Sequence, residues 1–524
     1  MIWRIRFDVN TVSRMLAFLL SAWLFAISAW WVWTAFSLPL ELEIREGTGW
    51  LYAIAHRAGV DIYDSSRVTF VNMAHGPLDP IVKGWLATWF PALPGCMITR
   101  CFVFLLPFFL LGAAYVVGRK SLTNALFAAA ALHLFLVNVT VLMAVGRSDA
   151  TVLCGLALCC ALGHWLLVNR HRRWSSQRYI VFQILLGSSS ALVFLANWRI
   201  VPMIGTIHLV VLAKQLAESN VRRFRSLLYA TVLSAVGWAL MCVPTFLFAL
   251  HGDRREYYRR FFGFYTAASG WGTFPGSEFR LFPEELVQSR QALLWVAAAL
   301  MAAALFRLRR ERAQLVAWLV LLPVGWVMYA YGYYKNQGGG GLHYFCPFFV
   351  CAWFLILHGL RRQSSERPLV QLFIVCLLAG LLPWRTVLDQ CRQFTDLGAQ
   401  SRMFLAEVAA RTGGRPVFGE STHLFKNMYD DEVVDTGDTV NAIAQAKYFG
   451  KEFTRNYEFY TMTLMSEPPR FVIEAMLDPQ NLIGITTPQL ANMLKNEYSV
   501  AVQGPANLVA NGGGSIALYE RNAE

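Results

Sequence analysis

The chain has 524 residues, of which 56% are apolar and only 15% are charged, and its mean hydropathy is +0.42. A soluble globular protein of this length is less apolar, so the composition excludes that class and indicates a membrane protein. The net charge of +13 does not indicate nucleic-acid binding, because the basic residues stand in short clusters between apolar runs.

Eleven apolar runs follow one another along the chain, each near the length that a helical crossing of a bilayer requires. They lie at roughly residues 15–37, 97–118, 121–145, 149–169, 179–197, 200–213, 227–250, 291–308, 313–332, 343–360 and 368–385. The sequence therefore predicts a polytopic α-helical membrane protein with about 11 transmembrane helices. Only Asn197-Trp198-Arg199 separates the fifth run from the sixth, which is also typical of a broken or re-entrant element.

Basic residues mark every second connection between these runs. The clusters lie at 118–120, 169–178, 214–225, 307–312 and 361–368, and Arg4, Arg6 and Arg14 precede the first run. Because basic connections stay on the cytoplasmic side, we predict a cytoplasmic N-terminus and outer connections on the opposite side. The short basic loops and the absence of a eukaryotic retrieval signal favour the bacterial inner membrane.

Two outer regions are larger than ordinary connections. Residues 1–385 form the predicted transmembrane domain, and its first outer loop at 38–96 is far longer than usual. Residues 386–524 hold no run that can cross a membrane, and we expect them to form a soluble extracytoplasmic (periplasmic) α/β domain. Its predicted strands lie at Pro416–Phe418, Glu432–Val434, Phe471–Ile473 and Ser515–Tyr519. Its predicted helices lie at Gln400–Arg411 and Thr486–Asn496, and Gly413 is a stop signal just after the first of them.

Two acidic residues are candidates for catalysis. Glu46 stands near the start of an amphipathic segment in the first outer loop, and Asp149 stands at the outer end of a crossing. If helix termini bring both carboxylates to one outward-facing site, the pair suits general acid–base chemistry. The structural alternative makes Glu46 a first-turn acid that favours the helix dipole and Asp149 an N-cap, and spacing alone does not decide between the two.

Four short motifs carry a resemblance to a known family. They are Arg45-Glu46-Gly47, Gly59-Val60-Asp61-Ile62-Tyr63, His75-Gly76-Pro77-Leu78-Asp79-Pro80 and Gly146-Arg147-Ser148-Asp149. In this order they resemble the GT-C superfamily of membrane glycosyltransferases. The closest match is the family 39 type, which includes protein O-mannosyltransferases and lipid A aminoarabinose transferase. The layout of the crossings and the outer C-terminal domain also resemble some members.

That resemblance implies a hexosyl- or pentosyltransferase that moves a monosaccharide from a polyprenyl-phosphate-linked donor to an extracytoplasmic glycan, lipid or protein acceptor. It implies that Glu46 and Asp149 are the catalytic acids, with Glu46 preferred as the group that accepts the proton of the acceptor hydroxyl. Arg45 stands where many relatives carry aspartate, which leaves Glu46 as the sole acid of that motif. Arg199 stands near the position of a lysine in relatives, and arginine can place two donors on one phosphate.

In this mechanism the departing lipid phosphate needs positive charge, and the expected substrate-binding residues belong to the outer segments. They are His75, Asp79, Lys83, Arg147, Arg199, Lys335 and His343. Structural alternatives remain: Lys83 and Lys335 as anchors at the membrane interface, and His75 as a turn residue. The sequence identifies no cofactor, although a divalent cation (Mg²⁺, Mn²⁺ or Ca²⁺) held by Asp149 and another acid would supply the same charge.

Two further patterns argue against a dedicated metal site. Ten cysteines include no C-x-x-C pair, and the acidic residues between 419 and 442 lack the spacing of a calcium loop. A solvated turn cluster is the simpler interpretation of that acidic segment.

A transporter or flippase of lipid-linked sugars is the alternative function, because polar groups inside a membrane protein can line a path instead of performing chemistry. The long first outer loop, the lack of charges in the middle of the runs and the lack of an internal repeat favour the enzyme. The expected partners are the lipid-linked donor, the acceptor and membrane lipids, with no nucleic acid.

Overall fold

The computed structural model describes residues 8–40, 42, 44–59, 76–118, 121–168, 177–218, 223–249, 280–335, 342–360, 368–413, 415, 468, 470–475, 488–506 and 515–522. The described part is mostly helical. Its first ten α-helices are α1 (Val9–Phe36), α2 (Ile44–Arg57), α3 (Leu78–Trp89), α4 (Gly95–Thr99), α5 (Cys101–Val117), α6 (Leu122–Val139), α7 (Ser148–Val168), α8 (Gln177–Ala196), α9 (Val201–Glu218) and α10 (Arg223–Pro244). The other six are α11 (Glu284–Arg307), α12 (Arg312–Lys335), α13 (Cys346–Leu360), α14 (Pro368–Leu381), α15 (Trp384–Thr412) and α16 (Pro488–Glu497).

Each of the eleven apolar runs coincides with a helix. Within the described residues, nine helical segments are long and apolar enough to cross a membrane, and a tenth crossing results if the bent pair α14–α15 is counted as one. The remaining run, the sixth at residues 200–213, corresponds to the shorter apolar stretch Val201–Ala217 in α9. The prediction of a polytopic α-helical membrane protein is therefore confirmed.

The spans alternate in direction through one helical bundle. We call the end at which α1 ends and α7 begins the rim, and the opposite end the base. The core is built from closely packed small and apolar residues of α5, α6, α7 and α13, for example Ala130 and Leu134 of α6 and Leu156 of α7, each 0% exposed. The basic residues Arg307, Arg309 and Arg310 lie at the base, between α11 and α12.

The interruption at residues 197–199 is a short turn, and the helices on both sides of it belong to the bundle. A single 3₁₀ turn at Trp198–Ile200 joins α8 to α9, and α9 then packs against α7 and α12. The chain thus makes a compact corner at the rim, where Arg199 lies.

The first outer loop is largely helical in its described parts. Helices α2, α3 and α4 pack on one another at the rim between the spans α1 and α5. Their mutual core includes Trp50 and Ala53 of α2, Ala87 of α3 and Ile98 of α4. The described parts of the outer loop predicted at residues 38–96 therefore form a small helical layer at the rim of the bundle.

Helix α15 links the bundle to the C-terminal sheet. Its buried residues repeat at alternating spacings of three and four, for example Val387, Cys391, Phe394 and Gly398, so one stripe faces inward along the whole helix. The first half packs on α1, where the Trp31 indole donates a 2.9 Å hydrogen bond to Gln390. The predicted domain boundary at residue 385 falls within the first turn of this helix.

The described C-terminal strands form one antiparallel sheet in the order β1-β3-β2, with β1 at Phe471–Ala475, β2 at Tyr498–Ala506 and β3 at Ser515–Arg521. Strands β1 and β3, helix α16 and the stop at Gly413 match the sequence predictions, whereas β2 was not predicted. The predicted strands at 416–418 and 432–434 lie outside the described residues. The sheet packs on the second half of α15 through Phe404 and Val408 and buries Leu40, which follows α1.

Candidate functional site

Glu46 lies in the first turn of α2 and is completely buried. Arg100, also 0% exposed, binds its carboxylate with two donors, Nε to Oε1 at 2.6 Å and Nη2 to Oε2 at 2.7 Å. The backbone N–H groups of Leu42 and Gly146 donate to the same carboxylate at 2.7 and 2.6 Å. All four donors contact the carboxylate oxygens, so the Glu46 side chain is held in one fixed position.

The Arg100 guanidinium also fixes the chain that leaves α1. It donates to the carbonyl oxygens of Ala35, Leu38 and Leu40 at 3.1, 2.8 and 2.5 Å. Leu40 is the residue whose side chain lies in the core of the C-terminal sheet. Arg100 therefore connects the end of the first span, the C-terminal sheet and Glu46.

Gly146 carries the connection from Glu46 to α3. While its N–H donates to Glu46, its carbonyl accepts a 2.6 Å hydrogen bond from the Lys83 ammonium. Lys83 is 1% exposed and forms an ion pair with Asp79, one turn earlier on α3, at 2.6 Å. Asp79 in turn accepts a 2.7 Å hydrogen bond from Thr151 in the first turn of α7. We call this chain of contacts, from Arg100 to Thr151, the rim network.

Two glycines of the sequence motifs permit close backbone approaches. A Cβ on Gly146 would lie 2.7 Å from the carbonyl carbon and oxygen of Thr99, the residue before Arg100. A Cβ on Gly76 would lie 1.9 Å from the carbonyl oxygen of Leu195, and the Gly76 N–H donates to Ala196 at 3.0 Å. Any side chain at either position would separate the segments that form the site.

Asp149 lies beside the rim network and is more accessible than Glu46. It is the second residue of α7, not the N-cap of that helix. Its carboxylate pairs with the Arg147 guanidinium at 3.3 Å, and the exposed fractions of the two side chains are 16% and 5%. Because Asp149 is only three residues from Gly146, the two predicted acids lie at the same end of the bundle, as expected from the sequence.

Arg199 adds a positive charge from the α8–α9 corner. Its guanidinium lies over the Tyr344 ring, 4.6 Å from the centroid, and its carbonyl accepts a 3.2 Å hydrogen bond from Tyr329 of α12. Within the described part of the chain, no acidic residue pairs with Arg199. Asn197 in the same corner donates a long hydrogen bond of 3.5 Å to Ser148, the neighbour of Asp149.

The turn before α13 closes the site on its far side. His343 is buried, and its ring lies 4.7 Å from that of Tyr344. The turn with His343 and Tyr344 leads directly into α13, which begins at Cys346. The ends of α3, α7, α8 and α13 thus meet at one place on the rim.

Two predicted site residues are not placed in full. His75 lies outside the described residues, and for Lys335 the structure gives only its place as the last residue of α12, at the rim. The other seven, Glu46, Asp79, Lys83, Arg147, Asp149, Arg199 and His343, all lie at the rim. Their assignment to catalysis or to substrate binding stays a prediction.

Sequence reasoning missed Arg100, which holds the largest number of these contacts. The signal was present, because Arg100 lies inside the apolar run 97–118, where a cation is costly unless it has a partner. Thr151, Asn197, Tyr329 and Tyr344 were also missed. These four are ordinary residues of apolar helices and turns, and no local pattern identifies them.

The described side chains do not form a metal site. Among them, no three His, Cys, Asp or Glu residues are grouped closely enough to hold an ion. Asp149 and Asp79 are instead paired with Arg147 and Lys83, so the positive charge beside each acid comes from a side chain.

Comparisons with known proteins identify the fold. No family model and no curated protein match the sequence. Among solved structures, the chain is similar to ArnT from Cupriavidus metallidurans bound to undecaprenyl phosphate, with a TM-score of 0.57, 12% identity and coverage of 94% of this chain and 97% of ArnT. The same enzyme in the apo state gives a TM-score of 0.54 with 13% identity and the same coverage.

A third similarity is weaker. The oligosaccharyltransferase of Archaeoglobus fulgidus gives a TM-score of 0.42 at 12% identity and covers 82% of this chain and 64% of that one, which is too low to support an argument. The ArnT match covers nearly the whole of both chains, and ArnT is a GT-C protein. The chain therefore has the GT-C fold that its motifs predicted.

Proposed function

We propose that this chain is a membrane glycosyltransferase that moves a monosaccharide from a polyprenyl-phosphate donor to a hydroxyl acceptor on the non-cytoplasmic side. The observation that carries the proposal is the position of Asp149 at the rim of a GT-C bundle, beside Arg147 and in the same cluster of helix ends as Arg199. Support comes from the ArnT structure of the same fold, which was solved with a polyprenyl phosphate, undecaprenyl phosphate, bound.

Asp149 is the acid whose geometry suits contact with substrate. Its side chain is partly exposed and lies at the start of α7, whereas every described contact of Glu46 is internal. In the transfer step the acceptor oxygen bonds to the anomeric carbon and its proton passes to the Asp149 carboxylate. The bond between that carbon and the phosphate oxygen breaks, and the electron pair leaves with the lipid phosphate.

Arginines are suited to receive the departing phosphate. Arg199 contacts an aromatic ring rather than a carboxylate in the described structure, so its charge is available to an incoming anion. Lys83 is a second candidate, because Gly146 and Asp79 engage two of the three donors of its ammonium. Preorganised cations at the point where negative charge develops lower the barrier of such reactions.

Glu46 is better suited to positioning than to proton transfer. Its carboxylate is fully bonded and fully buried, so removal of its charge would leave Arg100 without a counter-charge in the interior. The resemblance favours Glu46 over Asp149 as the base, whereas the contacts of the two side chains favour Asp149. Glu46 and Arg100 hold the Gly146 peptide, which in turn holds Lys83.

The test is a transfer assay with protein reconstituted in liposomes, a radiolabelled polyprenyl-phosphate sugar and candidate acceptors. We expect Asp149→Asn to abolish transfer while the protein still folds and unfolds in one cooperative transition. Asp389→Asn is the matched control, since Asp389 is also paired with an arginine at 3.3 Å but is 64% exposed on α15, away from the site. Full turnover by Asp149→Asn with an authentic substrate would show that the assigned base is wrong.

The cation is tested in the same assay. Arg199→Gln should raise the KM for the donor at least tenfold, because one charge-assisted contact to a phosphate is lost. The control is Arg309→Gln, since Arg309 also lies over an aromatic ring, at 4.1 Å, but at the base. If the protein moves labelled sugar lipid between leaflets and forms no new glycosidic bond, it is a flippase and the proposal fails.

A further inference from the structure

Helix α3 has two faces of opposite character. One face is buried against the bundle and carries the charged pair Asp79 and Lys83, which are 5% and 1% exposed. On the opposite face Trp85 is 51% exposed and Trp89 is 70% exposed. The two tryptophans are four residues apart, so they lie one above the other on the same side of the helix.

The apolar surface continues beyond the end of the helix. Phe90 and Leu93 are 50% and 41% exposed in the turn that follows. No charged residue occurs from Trp85 to Gly95. We call the surface formed by Trp85, Trp89, Phe90 and Leu93 the aromatic face.

The position of the aromatic face in the chain identifies what covers it. The membrane-crossing segment Gly95–Val117 begins two residues after Leu93, so the aromatic face lies at the depth where that segment enters the bilayer. Tryptophan is enriched at this depth because its ring is apolar and its indole N–H is polar. The buried face of α3 packs tightly on α2. A Cβ on Gly84 would lie 2.8 Å from the carbonyl oxygen of Ala53, so α3 is fixed in place on this side.

We propose that the aromatic face inserts into the lipid headgroup region of the leaflet at the rim and fixes the depth of α3. Lys83 lies on the opposite face of the same turn of α3 as Trp85, and the diameter of a helix with its side chains is about 10–12 Å. Insertion of Trp85 and Trp89 therefore holds the Lys83 ammonium within about one helix diameter, about 10–12 Å, of the inserted rings. The consequence for catalysis rests on the proposed function. A polyprenyl-phosphate donor would reach the site while its phosphate stays in the headgroup region of its own leaflet.

Insertion is tested without reference to activity. The full chain, carrying an environment-sensitive fluorescent amino acid at position 89, is placed in nanodiscs whose lipids are brominated near the headgroup. We expect strong quenching of the probe by the brominated lipids and little by iodide in the buffer. The control carries the probe at Met403, which is 65% exposed on the part of α15 that packs on the C-terminal sheet, and should show the reverse.

The opposite pattern at position 89, or a cross-link between two chains through a photoreactive residue placed there, would overturn the proposal. The first result would mean an aqueous surface and the second an interface between two copies. Both outcomes are independent of whether the protein transfers sugar.

A kinetic measurement tests the consequence for the donor. The double variant Trp85→Gln/Trp89→Gln should raise the KM for a long-chain donor in vesicles about tenfold with kcat unchanged, a loss of about 1.4 kcal/mol in apparent binding. Its KM for a short-chain, water-soluble donor should not change, and Met403→Gln should change neither. Equal effects on both donors would show that the tryptophans act on the site and not through the membrane. If the wild type transfers no sugar while position 89 is quenched by lipid, only the proposed function fails.

Discussion

Two glutamates of this chain are each bound by arginine at similar distances, one in the bundle and one on the C-terminal sheet. Glu46 and Arg100 are both 0% exposed, with N–O distances of 2.6 and 2.7 Å. Glu520 binds Arg411 and Arg470 at 2.7 and 2.9 Å, but its side chain is 14% exposed and each arginine is 57% exposed. The Arg470 hydrogen bond lowers the pKa of Glu520, burial raises it in part, and the Arg411 hydrogen bond and the charges of both arginines lower it further, so the net pKa is lowered.

The Glu46 and Glu520 sites differ in their surroundings and not in the lengths of their hydrogen bonds to arginine. Water and salt screen the Glu520 contacts, so when a contact is lost, solvation of the separated groups largely compensates for it. Around Glu46 the protein itself has replaced the water, so a missing partner leaves a buried charge unpaired. Hydrogen bonds of the same length should therefore have very different effects on stability.

The largest effect is expected for Glu46→Gln and for Arg100→Gln. Each should destabilise the protein by about 3–5 kcal/mol, because one buried charge loses its partner. The measurement is the melting temperature in detergent, with Glu520→Gln as the control at the second glutamate. If Glu46→Gln and Glu520→Gln lower the melting temperature equally, burial does not determine the contribution of the pair.

Leu40→Ala tests the connection between the two regions. Leu40 is 3% exposed in the core beneath the sheet, and its carbonyl binds Arg100. Loss of this side chain should cost about 2–5 kcal/mol. Limited proteolysis should then cleave the C-terminal residues faster, whereas Val500→Ala, at a position 46% exposed on β2, should have no effect. Unchanged proteolysis of Leu40→Ala would mean that the sheet does not depend on this contact.

Gly146→Ala should have an intermediate effect. The new methyl group would lie 2.7 Å from the backbone of Thr99, so the Gly146 peptide must move away from Glu46 and Lys83, at a cost of about 1–3 kcal/mol. Gly380→Ala is the matched control, since no atom lies within 4 Å of a Cβ at that helical position. We expect a lower melting temperature and weaker transfer only for Gly146→Ala, and equal behaviour of the two variants would contradict the assigned role of Gly146.

The smallest effect is expected for Glu520→Gln, less than about 1 kcal/mol at neutral pH. Because the folded-state pKa of Glu520 is lowered, its contribution is present above the ordinary glutamate value of 4.5 and is lost as the pH falls through the lowered pKa. Proteolysis of the sheet in wild type should therefore accelerate in acid below that value. In Glu520→Gln this part of the pH dependence should be absent, and its persistence would assign it to another group.

Much of the fold could be predicted from sequence. The eleven apolar runs fix the positions of the helices, because an isolated span must satisfy its own backbone hydrogen bonds over the thickness of the bilayer. Short strand-like segments at residues 471–473 and 515–519 predicted β1 and β3. Strand β2 was missed although Tyr498 and Val502 alternate with exposed residues, because its register shift between Val500 and Val502 interrupts the pattern.

The candidate site was only partly predictable. The motifs placed Glu46, Asp79, Lys83, Arg147 and Asp149 on one side of the membrane, and the structure brings them to one end of the bundle. They gave no reason to pair Glu46 with Arg100, which is 54 residues away, or to connect Lys83 with the carbonyl of Gly146, 63 residues away. Contacts of this separation leave no periodic signal in the chain.

The sequence by itself determined which segments cross the membrane and which acids and cations stand at their ends, since these properties depend on the length and polarity of each segment alone. Only the tertiary structure decided which of two similar acids is fully enclosed and which is partly exposed. Glu46 and Asp149 carry the same carboxylate, and the packing of α2, α5 and the Gly146 turn around the first, but not the second, excludes water from it. Burial is a property of the whole assembly of helices, and no single segment encodes it.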